Sequence, residues 1–204
     1  MLGFFAFLLA LPGALFAPVL HEYVKAKVAH SLGDATIRKQ SLHTFGFKKF
    51  FEPIGFIFML TFNVGWGQPV QVSPYYFKDK RKGILLAYLV PVLANLAAGI
   101  GAVLLWRWLH PLAAGLQPGA FVLIELGVLL FARCNVGLAL FALLPVSPMA
   151  GYRVLPLFLS PDAASRLSYY EKPAQAILIL MLIFGVVQML LFPLRDALIM
   201  LAGS

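Results

Sequence analysis

The chain is short of charge. Asp, Glu, Lys and Arg make up 12% of its 204 residues, roughly half the share of an ordinary soluble domain. With 61% of the residues hydrophobic, a water-soluble globule could not cover its apolar surface, and that class is excluded. Cysteine is nearly absent. Cys134 is the only one, so there is no internal disulfide and no thiolate cluster for a metal; inside an apolar run it reads as a small, inert core residue. Residues 1–20 hold no Lys or Arg. The positive n-region of a cleavable secretory signal is missing, and this stretch is expected to be a retained span. The net charge of +8 lies in loops between apolar runs, which is a membrane-topology signal and excludes nucleic acid as a partner.

What the chain has is long apolar runs. A hydrocarbon core of about 30 Å takes roughly 20 apolar residues to cross. Runs over 2–28, 83–108 and 119–144 meet that length. A fourth begins near Pro173, is interrupted at Pro193-Leu194-Arg195-Asp196 and ends near Ala202. The expected fold is an all-α membrane protein, a polytopic helical bundle in a single integral membrane domain, residues 1–204. Residues 54–66 are apolar but too short for a comfortable crossing, and a re-entrant segment is expected there. Short strands on the cytoplasmic side are expected within 36–47 and at Val70-Gln71-Val72-Ser73, where apolar and polar residues alternate. Tyr75, Tyr76 and Phe77 beside Lys78, Lys80, Arg81 and Lys82 read as an interfacial anchor in contact with membrane lipid.

With four crossings, one side holds Lys25, Lys27, Arg38, Lys39, Lys48, Lys49, Lys78, Lys80, Arg81, Lys82, Arg153, Arg166 and Lys172. The other holds Arg107 and Arg195, while Arg133 falls inside the membrane. That bias puts the crowded side in the cytoplasm. The His21 end of the first span and the Pro145 end of the third then face the same side and can form one site.

The chemical candidate is His21-Glu22-Tyr23-Val24-Lys25. A zinc hydrolase helix reads H-E-x-x-H: two imidazoles four residues apart share one face and bind the metal, and the Glu acts as general base. Here Lys25 stands where the second His would be. Its ammonium could pair with Glu22, three residues away, and be capped by His21; or it could snorkel to the headgroups and leave Glu22 solvated. Among substitutes, His30 falls on the opposite helix face, His43 and Glu52 could fold back from the following loop, and His110 belongs to the far interface. Glu125 and Arg133 are ionisable residues within a span, hence functional candidates. They are eight apart and do not pair directly, and packing against Asn95, Asn135 or water would accommodate them. Asn95 and Asn135 are expected to hydrogen-bond between helices.

Several blocks, taken in order, resemble the site-2 protease family of zinc intramembrane metalloproteases, in its short bacterial branch without a PDZ domain. The family's H-E-Y-x-H-x-x-x-A-x-x-L-G-D is matched by His21-Glu22-Tyr23, Ala29 and Leu32-Gly33-Asp34. D-P-I-G is matched by Glu52-Pro53-Ile54-Gly55, and G-W-x-x-P-V-x-V-x-P by Gly65 to Pro74. G-P-x-A-N survives only as Leu93-Ala94-Asn95, with Pro91-Val92 where Gly-Pro would stand. The last block, N-x-x-L-A-x-F-N-L-L-P-x-x-P-L-D-G, reads Asn135, Leu138-Ala139, Phe141-Ala142-Leu143-Leu144-Pro145 and Pro148-Met149-Ala150-Gly151. The match covers about 10–155; the C-terminal hydrophobic segment, 173–202, lies outside it.

In that family both His of H-E-x-x-H and the Asp of L-D-G hold zinc. The resemblance puts those positions at His21, Lys25 and Ala150, with Glu22 at the general-base position. It therefore implies a degenerate zinc site and a pseudoprotease of a bacterial cytoplasmic membrane, with no cofactor and a partner's transmembrane segment as ligand. Asn95, Asn135, Gln68, Val70, Val72 and Pro74 would line the groove, and the extended stretch would pair with the partner by strand addition. An active protease with a rearranged zinc site is one alternative. A transporter-like or lipid-handling bundle using Glu125 and Arg133 is another.

Overall fold

The computed structural model describes residues 2–203 and is helical, with no strand among the described residues. Among the described residues four helices are long and apolar enough to cross a membrane: α1 (Leu2–Ser31), α5 (Lys80–Leu109), α6 (Pro118–Ala142) and α10 (Val186–Gly203). The protein is an integral membrane bundle. Pro12 and Pro18 lie inside α1 and Pro91 inside α5, as a membrane helix allows when neighbours re-satisfy the freed carbonyls. Gly13 of α1 lies against Phe131 and Cys134 of α6, where an added Cβ would come within 2.8 Å of the Phe131 Cα, so these helices approach closely, as lipid-embedded helices must to gain packing contacts.

The connection from α1 to α5 carries the short elements. Asp34 caps α2 (Ala35–Lys39), accepting the Thr36 N–H at 2.9 Å. α3 (Phe47–Phe50) follows, so the strands expected within 36–47 are helix and turn. The local carboxylate cap outcompetes an extended path there. α4 (Pro53–Phe62) begins at Pro53 with the Glu52 side chain as cap and ends at Asn63 in the left-handed region, φ 55°. Its ten residues rise about 15 Å, half the hydrocarbon thickness, so this segment does not cross. Residues 69–73 are extended but form no ladder: Glu22 and Asp34 carboxylates take the Val70 and Ser73 N–H groups, at 2.8 and 2.7 Å.

After α6, a turn leads to α7 (Ala150–Val154), α8 (Pro161–Tyr169) and α9 (Glu171–Ile183). The last apolar run is broken at Phe184-Gly185, not at Pro193, which lies inside α10. Gly185 takes φ +76°, where a side chain would be strained. The polar group at 195–196 is consequently not a loop. Arg195 is 4% exposed inside the bundle, which removes it from the far-side loop count.

Candidate functional site

The C-terminal half of α1, the 65–70 stretch, the end of α6 and the start of α7 converge on one small cavity. Its lining includes His21, Glu22, Lys25, Gly67, Ala142 and Ala150, and its volume is about 40 Å³, little more than one water. The three positions that the resemblance assigns to zinc ligands therefore face one space. The cis Ser147–Pro148 bond lies in the turn that delivers Ala150.

Lys25 is 6% exposed, and its Nζ donates to both Glu22 oxygens, at 2.7 and 2.9 Å. The pairing alternative is the one realised, and the ammonium does not snorkel to headgroups. Glu22 Oε2 also accepts the Val70 N–H at 2.8 Å. The Tyr88 ring stands 5.7 Å from Nζ and adds a weak cation–π attraction. Gly67 closes the wall. A Cβ there would come within 2.8 Å of the Pro18 and Phe50 carbonyl oxygens and 3.0 Å of Glu22 Cγ.

His21 does not cap Lys25; its Nδ1 meets Asn95 Oδ1 at 3.0 Å. A polar chain fixes the ring. Asn135 Nδ2 donates to the Phe131 carbonyl at 2.9 Å, so its Oδ1 faces Asn95 and accepts from Asn95 Nδ2 at 3.1 Å. Asn95 Nδ2 also donates to the Ala17 carbonyl at 3.0 Å. Asn95 Oδ1 thus faces His21, and in the neutral ring Nδ1 carries the proton and Nε2 the lone pair. The two asparagines bond between helices as expected and position His21 from behind.

Zinc does not fit this donor set. Its sites are built from His, Cys, Asp or Glu, and the residues present offer one imidazole, a carboxylate that already accepts three hydrogen bonds from Lys25 and Val70, an ammonium and the methyl of Ala150. No group of three or more His, Cys, Asp or Glu that could hold a metal occurs among the described residues. The substitutes are elsewhere. His43 stacks on His30 with ring centroids 5.0 Å apart, Glu52 caps α4, and His110 belongs to the other end of the bundle.

Of the remaining expected groove residues, Val70 is held by Glu22, while Gln68 is exposed and anchored through its N–H to the Phe50 carbonyl at 2.9 Å. Val72 is half-buried, and Pro74 opens a 3₁₀ turn. Glu125 and Arg133 do not pair with each other, and the hydrogen bonds of Asn95 and Asn135 go to His21, Ala17, Phe131 and one another. Glu125 lines a wide cavity of about 860 Å³ with Trp106, Arg107 and His110. Arg133 Nε lies 3.5 Å from Asp196 on α10. Sequence reading missed Asp34, 1% exposed, as a second clamp on the extended stretch; its place at the end of α1 was the available signal. It also missed Glu171, which accepts from Ser147 Oγ at 2.6 Å and from the Tyr152 hydroxyl at 3.1 Å. Those bonds, Ser147's first, hold the Glu171 carboxyl below the usual carboxylate range, and burial pushes the Tyr152 phenol up.

The chain is 28% identical over 186 residues, 87% of its own length and 81% of the relative's, to the "Putative zinc metalloprotease YwhC" of Bacillus subtilis (strain 168). No family model and no solved structure matches it. The likeness makes the chain a metalloprotease-like membrane protein.

Proposed function

We propose that this protein is a catalytically silent relative of the site-2 proteases that recognises a partner's transmembrane segment without cutting it. The observation that carries the reading is the Lys25 ammonium, 2.7 and 2.9 Å from the two Glu22 oxygens. A fixed positive side chain stands where the resemblance calls for a zinc ligand. Beside a divalent ion it would be repelled, and its own attraction to Glu22 is satisfied without one. A general base must have a lone pair free toward the proton it takes. Three of the roughly four lone-pair sites of Glu22 are taken by Lys25 and the Val70 N–H, and protonating the carboxylate would leave a buried ammonium without its counter-charge.

What the scaffold retains is the groove side: the extended stretch 68–74, with Gln68, Val70, Val72 and Pro74, and Asn95 and Asn135 behind His21. In an extended chain the N–H groups of Val70 and Ser73 fall on opposite edges, and carboxylates already hold both, so a partner segment would pair only with the backbone groups that lie between them. The bias of basic residues toward this side supports a cytoplasm-facing groove in a bacterial membrane.

Zinc content of the full chain purified in detergent tests the reading. The wild type should carry no stoichiometric zinc, and Lys25→His with Ala150→Asp should take up about one ion per chain by rebuilding a three-ligand site. One zinc per wild-type chain, lost in His21→Ala, would overturn the proposal. So would a membrane peptide cut by the wild type and spared by Glu22→Gln.

A further inference from the structure

A second polar cluster lies at the seam of α6 and α10, on the bundle's flank. Arg195 is 4% exposed, and its guanidinium carbon stands 3.8 Å from the Phe192 ring centroid. Its Nε and Nη2 donate to the Asp196 carboxylate at 2.8 and 3.2 Å. Its Nη1 is buried with no acceptor. Arg133 approaches the same carboxylate from α6, Nε to Oδ1 3.5 Å, but out of hydrogen-bonding alignment, and that nitrogen is also buried without an acceptor. Guanidinium does not deprotonate in proteins. Two fixed positive charges therefore share one carboxylate; the two unpaired nitrogens are sealed inside, and the exposed part of the Arg133 side chain is what an incoming anion would meet. Inside a membrane such a surplus calls for another anion.

The depth of the cluster selects that anion. Arg133 is nine residues from the Ala142 end of α6, about 14 Å, and fifteen from Pro118, about 22 Å. A phospholipid phosphate sits outside a hydrocarbon core about 30 Å thick, so the anion arrives more readily on a protein segment that crosses. The seam is open to one: the Arg133 and Asp196 side chains are 35% and 38% exposed, and Leu194, Ala197 and Leu201 on the same stretch of α10 are exposed too. A second copy of the chain does not remove the surplus: its own Asp196 lies at this level but comes with its own Arg133 and Arg195. Glu125 is eight residues from Arg133, about 12 Å along the axis, and two copies inserted in the same direction keep those levels apart.

We infer that the α6–α10 seam docks a transmembrane helix of another protein through an intramembrane Asp or Glu, which completes the Arg133–Asp196–Arg195 cluster. This contact stands whether or not the groove beside Glu22 holds a partner, because it uses a different face.

The probe is a Leu/Ala transmembrane helix carrying one central Glu, compared with the same helix carrying Gln. Each is reconstituted with the full chain in zwitterionic bilayers, and association is read by energy transfer. The Glu helix should associate roughly five- to thirtyfold more tightly, the range seen for polar contacts between model membrane helices. Arg133→Gln should abolish that preference, and Arg133→Lys, which keeps the charge, should retain most of it. Equal association of the two helices, or a preference unchanged in Arg133→Gln, would overturn the inference. So would a preference that disappears on adding phosphatidylglycerol, which would give the seam to lipid phosphate. A groove variant, Val72→Asp, should leave the preference intact; its loss there would return the contact to the groove.

Discussion

Among the described residues the bundle buries ion-paired charge in two places, and the two solve the same electrostatic problem differently. At Glu22–Lys25 the account is closed: one carboxylate, one ammonium, each residue 6% exposed, with a backbone N–H completing the carboxylate's shell. At the α6–α10 seam it is open: two guanidiniums meet one carboxylate whose side chain is 38% exposed. A buried ion pair offsets its desolvation only when its partners match in number and geometry. The closed pair needs nothing from outside and blocks chemistry. The open cluster needs an anion and offers a contact.

The largest effect should come from opening the closed pair. Lys25→Met leaves Glu22 charged and buried, and should cost roughly 3–5 kcal/mol in unfolding followed by SDS titration in mixed micelles. Adding Glu22→Gln to that variant should recover most of the loss. If Lys25→Met costs nothing, the ammonium lives in the headgroups and the contrast between the regions is lost.

A backbone change tests how tightly the closed pair is walled in. Gly67→Ala pushes a methyl to 2.8 Å from two carbonyl oxygens and 3.0 Å from Glu22 Cγ. Overpacking of that kind should cost about 1–3 kcal/mol. A silent Gly67→Ala would mean that the loop yields and that Glu22 is less fixed than its bonds imply.

The open cluster should answer with the opposite sign pattern. Removing its surplus cation, Arg133→Gln, should leave stability within about 0.5 kcal/mol, whereas removing a cation from the closed pair is the costliest change. Asp196→Asn strands both guanidiniums and should cost more than Arg133→Gln. If Arg133→Gln destabilises as much as Lys25→Met, the seam is a structural salt bridge and both regions are of one kind.

Much of this was legible in the residues because it rests on local or compositional signals. Span lengths follow from runs of apolar residues, and the short α4 follows from too few of them. Convergence of His21 and Ala150 followed from loop charge, since both helix ends fall on the same side. The strands within 36–47 were misread because alternation over a few residues carries less weight than the Asp34 cap that starts α2. The break at Gly185 was misplaced because Pro193 looks like the stronger interrupter, although a membrane helix tolerates proline. The Arg133–Asp196 contact spans 63 positions with no periodicity to announce it. Whether Lys25 pairs or snorkels was undecidable from spacing, because both geometries are open to an i, i+3 pair until the surrounding helices close over it.

The smallest effect belongs to a third carboxylate, outside the spans and facing water, and it gauges how much of the contrast is due to the membrane. Glu171 joins the start of α9 to the turn that carries Pro148, Met149 and Ala150 into the cavity wall, through Ser147 Oγ at 2.6 Å and the Tyr152 hydroxyl at 3.1 Å. Both donors favour the charged form, so its folded pKa lies below the unfolded value, which is about 4.3 for Glu. A depressed carboxyl contributes stability that is fully present above the unfolded value and lost as pH falls through the folded one. Ser147→Ala removes the largest cause. The stability gap between wild type and Ser147→Ala should be widest near pH 7 and narrow steadily below about pH 4. A gap that stays constant to pH 3 would mean that Ser147 acts through packing alone, and the water-facing carboxylate would then hold the turn as indifferently to its charge as an amide could.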